Sequence, residues 1–447
     1  MILPAEFESR MRAQLGNEFD QFAKALDSES PVSVRLNHQK IPTSLPLKPV
    51  TWCSSAYYLE QRPVFSSDPL WHNGSYYVQE ASSMMVEAAF LKAKSILNRP
   101  LKVLDLCAAP GGKSTLLANL LGEDDVLVAN EVIRTRVPVL FENLCKNGYP
   151  NTIITNVDSA DFEKSGAIFD VVLVDAPCSG EGLFRKDADA TAEWTTENVT
   201  TCELRQKRIL ESISQCIKPG GFIIYSTCTY NPGENQDQVN LLESLNFKPV
   251  EFQLSDGPHS TFQCYPHKIE GEGFFIALMQ NMGSQTATQR LSKHQLKSIK
   301  PDPAWKDLLY HAGDFYDFKG QILAIAPEVF EFFTEHLSAL HIYSIGIQIG
   351  TQKDKLLTLS PYLPFAANLN RAAFETYELD QIQALNYLFK NAINIPASSK
   401  KGYVLLTFKN HVIGLGKFAG NRINNLFPAE WKLRRMPEAQ QMFNLVD

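Results

Sequence analysis

The sequence lacks a long hydrophobic run, since no segment of its 447 residues approaches the roughly 20 apolar residues that a membrane-spanning helix needs. Its first residues, MILPAEFESRMR, also lack the apolar core of a secretory signal. Eight cysteines in so long a chain include no CxxC pair, and His259, Cys264 and His267 lack a fourth ligand. We therefore expect a cytoplasmic protein with reduced thiols, no membrane partner and no metal.

The sequence also lacks an overall excess of basic residues, since its net charge is −7. This balance argues against a basic surface throughout, although nucleic-acid binding needs only a local patch. One segment supplies such a patch: between positions 400 and 435, eight bases face one acid, Glu430. They are Lys400, Lys401, Lys409, Lys417, Arg422, Lys432, Arg434 and Arg435. The asymmetry indicates an RNA or DNA contact surface, with a solvated charged face as the alternative.

The length predicts two to four domains, and the patterning changes along the chain. Apolar residues at helical spacing predict one helix face over 7–26, 31–37 reads as a strand, and 45–63 has loop character. From about residue 79, apolar strands alternate with helices, which predicts a parallel sheet with ligands at the carboxyl ends of its strands. The polar segment 281–300 is typical of a linker. A small mixed α/β unit over 315–360 and a compact C-terminal β-barrel should follow.

The first predicted strand of the parallel sheet ends in DLCAAPGGKST, residues 105–115, which lacks the pattern of a phosphate loop. A GxxxxGK[ST] loop requires glycine where the chain has Cys107, and GxGxxG is absent. A tight Gly111-Gly112 turn suits a nucleoside ligand without a pyrophosphate, and S-adenosylmethionine fits this description. The predicted cofactor loop comprises Cys107, Ala108, Ala109, Pro110, Gly111, Gly112 and Lys113.

Three acids follow the next three predicted strands of this sheet. Glu131 comes nineteen residues after Gly112, where an acid can bind the hydroxyls of a ribose. Asp158 can accept from an adenine amine, and Asp175 ends the fourth strand. Each alone can be a helix cap or a carboxylate at a helix N-terminus. Together, beside a Gly-Gly loop, they indicate one nucleoside pocket.

Two cysteines, Cys178 and Cys228, follow predicted strands at the same edge of the sheet. Each alone is more typical of packing. Beside a methyl donor, however, a thiol has a chemical use, because carbon 5 of a pyrimidine is a poor nucleophile until a thiolate adds to carbon 6. Asp175 can then hold the pyrimidine edge, and Lys113 can supply positive charge.

Five motifs carry a family resemblance: QEASSM, DLCAAPGGKS, DAPCSGEG, FRKDADA and STCTYNPGENQ. They resemble RNA cytosine-5 methyltransferases of the Nop/Sun group, in particular its RsmF-like bacterial branch, over essentially the whole chain. The resemblance implies that Cys228 is the nucleophile, that Cys178 assists product release, and that small-subunit ribosomal RNA near the decoding region is the substrate. One departure is Ala188, where the family more often has proline.

The resemblance also implies a Rossmann-like α/β domain, with S-adenosylmethionine bound by the loop 107–113, Glu131, Asp158 and Asp175. We expect an N-terminal RNA-binding extension over 1–78, the methyltransferase domain over 79–282, a linker and small module over 283–364, and a PUA-like RNA-binding domain over 365–447. Candidate phosphate contacts are Arg35, Arg185 and Lys186, with surface solvation as the alternative. No obligate protein partner is expected. Alternative functions are a tRNA cytosine-5 methyltransferase, a methyltransferase for a protein or small molecule, and a non-catalytic ribosome assembly factor.

Overall fold

The computed structural model describes residues 1–42, 44–284, 296–353 and 356–446. Most of the predicted linker therefore lies outside the described residues. Within them, no helix combines the length and the apolar character needed to cross a membrane.

The N-terminal unit consists of three helices and a three-stranded antiparallel sheet in the order β2-β1-β3. Its elements are α1 (Ala5–Leu15), α2 (Phe19–Leu26), β1 (Val32–Leu36), β2 (Ala56–Leu59), α3 (Pro69–His72) and β3 (Tyr76–Val78). The predicted helix face over 7–26 is divided between α1 and α2, because the chain turns at Gly16, whose φ is +53°. The expectation of a loop over 45–63 was wrong at β2, which pairs with β1 along four residues.

The helices α1 and α2 pack on the central domain rather than on the N-terminal sheet. Phe7 and Phe22 of these helices are buried together with Phe184, Trp194 and Tyr230. The rings of Phe7 and Phe184 meet edge to face with centroids 4.9 Å apart. This cluster joins the N-terminus of the chain to the segment that follows Cys228.

The central domain contains α4 (Val86–Leu97), β4 (Lys102–Asp105), α5 (Gly112–Leu120), β5 (Val126–Asn130), α6 (Val137–Asn147), β6 (Thr152–Thr155), α7 (Ser159–Glu163) and β7 (Phe169–Asp175). It continues with α8 (Ala188–Glu193), α9 (Thr196–Ile213), β8 (Ile217–Thr227), α10 (Gln236–Ser244), β9 (Phe247–Pro249), β10 (Phe252–Leu254), β11 (Gly257–His259), β12 (Thr261–Cys264) and β13 (Phe274–Asn281). The strands β6, β5, β4, β7 and β8 lie side by side and are parallel. Apolar residues fill both faces of this sheet, as the alternation of strands and helices predicts.

The segment after the central domain contains β14 (Lys297–Ser298), α11 (Pro303–Lys306), β15 (Asp314–Phe318), β16 (Gln321–Ile325), α12 (Pro327–Phe332), β17 (Ile342–Ile345), β18 (Ile347–Lys353) and β19 (Leu356–Leu359). Five of its strands form a separate sheet in the order β14-β15-β16-β18-β19. The sixth, β17, pairs antiparallel with β6. The central sheet therefore includes a strand beyond residue 282, the predicted end of the methyltransferase domain. The four domain boundaries given from the sequence stay predictions.

The C-terminal unit contains β20 (Glu375–Glu378), α13 (Gln381–Leu388), β21 (Ile393–Asn394), β22 (Tyr403–Phe408), β23 (His411–Phe418) and β24 (Arg422–Asn425). Its strands form a curled sheet in the order β20-β22-β23-β24-β21. β22 and β23 are the hairpin that the paired apolar runs predict. The fold class expected from the sequence is therefore confirmed.

Candidate active site

The order of the parallel strands locates the site. The chain runs outward from β4 through β5 to β6, then crosses back so that β7 lies on the other side of β4. In such sheets, ligands bind at the carboxyl ends of the two strands between which the order reverses. Asp105 ends β4 and Asp175 ends β7. The crevice between them is the candidate active site.

The predicted cofactor loop, residues 107–113, forms the turn from β4 into α5 and borders this crevice. The N–H group of Ala108 donates to the carbonyl of Asn130 at 2.8 Å, and the guanidinium of Arg136 donates to the carbonyl of Ala109 at 2.6 Å. Gly111 has a φ of +115°, a conformation that favours glycine. These bonds hold the backbone of the loop against the ends of β4 and β5.

Asp105 ends β4, two residues before Cys107, and is fully buried. It belongs to the motif DLCAAPGGKST, but the sequence pattern alone gives it no role. Its Oδ2 accepts from the hydroxyl of Ser114 at 2.6 Å, and its Oδ1 has no partner among the described residues. Burial raises the pKa of Asp105 to about 7. Its place at a strand end, like that of the other three acids, was a signal that could have identified it.

Glu131 and Asp158 follow the neighbouring strands β5 and β6, as the sequence predicts. The Oε1 of Glu131 accepts from the N–H of Ile133 at 2.7 Å, so this buried acid turns back on its own backbone. Asp158 caps α7 and pairs with Arg208 at 3.0 Å. Asp158 therefore has the helix-cap contact that the sequence offered as the alternative to ligand binding.

The two predicted catalytic cysteines lie together. The Sγ atoms of Cys178 and Cys228 are 2.9 Å apart, and the N–H of Cys228 donates to the sulfur of Cys178 at 3.3 Å. Both thiols are free and half-buried. The hydrogen bond with Cys228, and then burial, raise the pKa of Cys178 well above its ordinary value. Cys178 therefore remains a protonated thiol at neutral pH.

Lys113 and Asp175 form an ion pair in the same crevice, with Nζ and Oδ2 2.7 Å apart. The other oxygen of Asp175 accepts from the hydroxyl of Ser226 at 2.8 Å. Burial alone would lower the pKa of Lys113, but the Asp175 carboxylate more than offsets it, with a smaller contribution from Cys228, so the pKa is raised. Lys113 thus keeps its positive charge close to the thiol pair.

Cys107, the third cysteine that the sequence predicts at this site, differs from the other two in its electrostatic surroundings. Burial raises the pKa of Cys107 well above its usual range, and the nearby carboxylates Asp105 and Asp175 add to the effect. A thiol held in this form is a poor nucleophile. Cys107 is therefore suited to line the site as a neutral thiol.

Two buried glutamates, to which the sequence pattern gives no role, hold the thiol loops, the segments after β7 and β8 that contain Cys178 and Cys228. Glu234 accepts from the N–H of Ser179 at 2.9 Å and from the amide of Gln206 at 3.0 Å, next to Cys178. Glu181 accepts from the N–H of Tyr230 at 3.2 Å, two residues after Cys228. Both occur in the quoted motifs DAPCSGEG and STCTYNPGENQ, but only the fold shows that they point inward.

Glu181 also connects the site to the N-terminal helices. It accepts from Arg10 of α1 at 2.6 Å and from the indole of Trp194 at 3.0 Å. The amide of Gln14, also on α1, donates to the carbonyl of Tyr230 at 3.3 Å. The helix α1 therefore holds the segment of chain that contains Cys228.

Two of the three expected phosphate contacts are wrong. Arg35 is only 2% exposed and donates to the carbonyl of Gly112 and the hydroxyl of Thr115. The guanidinium of Arg185 is buried in an ion pair with Glu272 at 2.9 Å. Internal acceptors therefore occupy both side chains, which a sequence pattern does not reveal.

The basic residues of the C-terminal unit are mixed in environment. Lys400 pairs with Glu375 at 2.7 Å, and Lys409 donates to the carbonyl of Val446 at 2.8 Å. Arg435 pairs with Glu438 at 3.3 Å. Others are exposed on the surface: Lys401, Lys417, Arg422, Lys432 and Arg434. The local basic surface that the sequence predicts thus depends mainly on these five.

Comparison with known proteins places this fold and site in the class of S-adenosylmethionine-dependent methyltransferases. Family models match residues 3–81 (N-terminal domain of 16S rRNA methyltransferase RsmF), 97–280 (16S rRNA methyltransferase RsmB/F) and 374–433 (methyltransferase RsmF PUA domain). The ribosomal RNA small subunit methyltransferase F of Vibrio atlanticus is 30% identical over 96% of this chain and 98% of its own. That of Vibrio cholerae is 32% identical over 86% and 85%. The chain therefore belongs to the RsmF family of 16S rRNA methyltransferases, and its cofactor is S-adenosylmethionine.

Two solved structures share the fold. The crystal structure of PH0851 has a TM-score of 0.56 at 24% identity, over 62% of this chain and 66% of its own. NSun6 from Pyrococcus horikoshii with SFG has a TM-score of 0.52 at 18% identity, over 63% and 99%. These likenesses concern the fold alone.

Proposed function

We propose that this protein methylates carbon 5 of a cytosine in 16S ribosomal RNA, near the decoding region, through a covalent adduct between Cys228 and carbon 6. The proposal depends above all on the thiol pair, since Cys178 and Cys228 are 2.9 Å apart at the carboxyl edge of the sheet. An oxygen or nitrogen acceptor is already nucleophilic and has no use for such a pair. Carbon 5 of cytosine needs a thiol to activate it.

The division of roles between the two sulfurs follows the family resemblance, in which the cysteine at the position of Cys228 adds to the ring and the cysteine at the position of Cys178 assists product release. The distance of 2.9 Å between the two sulfurs supports their action as a pair, because one thiol can hydrogen-bond to the other.

The chain's own groups account for the activation of the ring. The thiolate of Cys228 forms a bond to carbon 6, and the displaced electron pair makes carbon 5 nucleophilic while the polar edge of the ring hydrogen-bonds to Asp175. Once carbon 5 carries the methyl group, a base removes its proton, the electron pair re-forms the ring double bond, and the carbon–sulfur bond breaks. Because stacking covers carbon 6, the cytosine has to be unpaired or flipped out of its helix, at a cost of a few kcal/mol.

S-adenosylmethionine supplies an electrophilic methyl group when bound. The residues that we assign to its binding are the loop 107–113, Glu131, Asp158 and Asp175. The free Oδ1 of buried Asp105 supports this placement, since an acceptor without a partner next to the Gly111-Gly112 turn suits a polar ligand. Both oxygens of Asp158 have protein partners, as do both oxygens of Asp175, so a ligand at either acid shares an acceptor that the chain already uses.

A trapping experiment tests the nucleophile. In RNA that contains 5-fluorocytidine, carbon 5 carries fluorine where the base would remove a proton, so the carbon–sulfur bond cannot be released by elimination. The adduct should therefore persist and be visible as a band of higher mass under denaturing conditions. We expect the wild type to form the adduct and Cys228→Ala to form none. Cys145→Ser is a matched control, since the half-buried thiol of Cys145 lies in α6, where its electrostatic neighbours are Lys40, Lys146, Glu142 and Glu430, and it should leave trapping unchanged.

Cys178→Ala tests the release role with unmodified RNA. If Cys178 assists product release, this variant should accumulate a protein–RNA adduct that the wild type does not. Absence of that adduct contradicts the release role, and full trapping by Cys228→Ala contradicts the nucleophile. Bisulfite sequencing of 16S ribosomal RNA and tRNA from a deletion strain then identifies the substrate, because a protected cytosine near the decoding region should disappear.

A further inference from the structure

A cavity of about 310 Å³ lies between the N-terminal sheet and the helices α5 and α6. This volume is at the lower end of the range of ligand pockets. Among the described residues, its lining includes Pro110 of the cofactor loop and Thr115 of α5, but neither of the thiols nor any acid of the active site. The cavity is therefore adjacent to the active site and separate from it.

Aromatic rings form one part of the lining, through Trp71, Tyr76 and Tyr77. Trp71 and Tyr77 are half-buried. A cation lies over each ring, with the Nζ of Lys146 5.7 Å from the Trp71 centroid and the guanidinium carbon of Arg35 6.0 Å from that of Tyr77. The hydroxyl of Tyr76 donates to Asp68 at 2.9 Å. Partly exposed rings provide stacking surfaces for a flat ligand.

Side-chain amides form a second part of the lining, through Asn37, Asn119, Asn143 and Asn147. Asn147 is only 5% exposed, and its amide donates to the Oδ1 of Asn119 at 2.7 Å. The Oδ1 of Asn147 has no partner among the residues that the structure describes. A buried amide oxygen without a donor is costly unless a ligand or water supplies one.

The charged residues of the lining are Arg35, Lys146 and Glu142. Lys146 pairs with Glu142, with Nζ and Oε1 2.5 Å apart. Arg35 donates to Gln79, Gly112 and Thr115, all of them uncharged partners. Among the described residues of the lining, Arg35 therefore has no carboxylate as an ion-pair partner, and Glu87 acts on it only through space.

We propose that this cavity binds a nucleobase of the RNA strand, next to the cytosine in the active site. Aromatic rings, amide edges and a positive field are the combination with which proteins bind unpaired bases. A phosphate fits less well, because Arg35 already uses four N–H···O bonds and Lys146 is paired. The shared Pro110 places the bound base close to the cofactor loop. This inference depends on the proposed function, since it takes RNA as the substrate.

A blocking substitution tests the cavity without removing its lining. Val139 on α6 lines the cavity and is 39% exposed, so Val139→Trp should fill the opening with little effect on folding. Val64 is 38% exposed and outside the cavity lining, so Val64→Trp is the matched control. The measurement is the Kd of a short single-stranded RNA containing the target cytosine, by fluorescence anisotropy. Loss of one stacked base should raise the Kd about tenfold in Val139→Trp, and the control should stay within about twofold of the wild type.

Tryptophan fluorescence gives a second readout. A base stacked on Trp71 should quench its emission when RNA is added, and Trp71→Phe should lose that part of the quenching. Trp305→Phe, at a buried site in another part of the core, should retain it. Unchanged quenching in Trp71→Phe overturns the proposal.

The outcomes separate this inference from the function on which it rests. If the wild type methylates and binds RNA while Val139→Trp binds it equally well, the base site is wrong and the proposed function stands. If the wild type neither binds nor methylates RNA, both are wrong. If adenosine monophosphate quenches Trp71 at concentrations similar to those of the RNA, the cavity takes a free nucleotide, and its assignment to the RNA strand is overturned.

Discussion

Replacing Asp105 by asparagine should change how the stability of the protein depends on pH. Asp105 is 0% exposed, and burial raises its pKa from 3.8 to about 7. In the unfolded chain this acid loses its proton near pH 4, whereas in the folded protein it keeps the proton until about pH 7. Its effect on stability is therefore absent below about pH 4, grows more unfavourable as the pH rises to about 7, and is then constant.

The size of this effect follows from the two pKa values. They differ by about 3, which at 1.36 kcal/mol per pKa unit corresponds to about 4 kcal/mol. Asparagine resembles the protonated acid in shape, retains an acceptor for Ser114, and has no charge to desolvate. We therefore expect Asp105→Asn to be more stable than the wild type at pH 8, by up to about 4 kcal/mol, and nearly equal to it at pH 4.

Urea unfolding of the cofactor-free protein at pH 4, 5, 6, 7 and 8 measures this difference. Asp161→Asn is the control, because Asp161 lies on the surface in α7 and is 43% exposed in its pair with Lys164. Its difference from the wild type should stay within about 1 kcal/mol. Two results would refute the reasoning: a constant difference between Asp105→Asn and the wild type from pH 4 to pH 8, or a less stable variant at pH 8.

Two further changes test how the thiol loops are held. Arg10→Met leaves the fully buried carboxylate of Glu181 without its ion pair. Urea unfolding should therefore show a free energy of unfolding lower by about 3 kcal/mol, and methyl transfer should slow. Arg10→Lys keeps the charge, so its free energy of unfolding should fall by less than half as much. Gly182→Ala places a Cβ 2.2 Å from the carbonyl oxygen of Gly273, so the rate of methyl transfer should fall at least tenfold. Gly122→Ala is the control, because its Cβ meets only ordinary van der Waals contacts, and it should retain activity. Equal activity of the two alanine variants would contradict the close approach of these loops.

The motifs show how far sequence reasoning reaches. Alternation of apolar strands and helices predicted the parallel sheet, and Cys178, Cys228, Lys113 and Asp175 were predicted at one edge of it. The structure brings these four side chains together, because the carboxyl ends of neighbouring parallel strands meet at one edge. Local patterns suffice here, since strand order follows from few topological rules.

Other features depended on contacts between distant parts of the chain. Arg35 reads as a surface base in the sequence, but the sheet of the N-terminal unit buries it against α5. The strand β17 joins the central sheet through pairing with β6, nearly two hundred residues earlier. No local pattern encodes either contact.

The sequence by itself determined the kind of chemistry, since the motifs specify which side chains end which strands. Only the tertiary structure decided the state of those side chains: which acid is buried with an unpartnered oxygen, which two thiols are in contact, and which helix holds the loop of Cys228. The physical reason is that pKa values and packing depend on what surrounds a group in space. In this protein, those surroundings come from residues as far apart as Arg10 and Glu181.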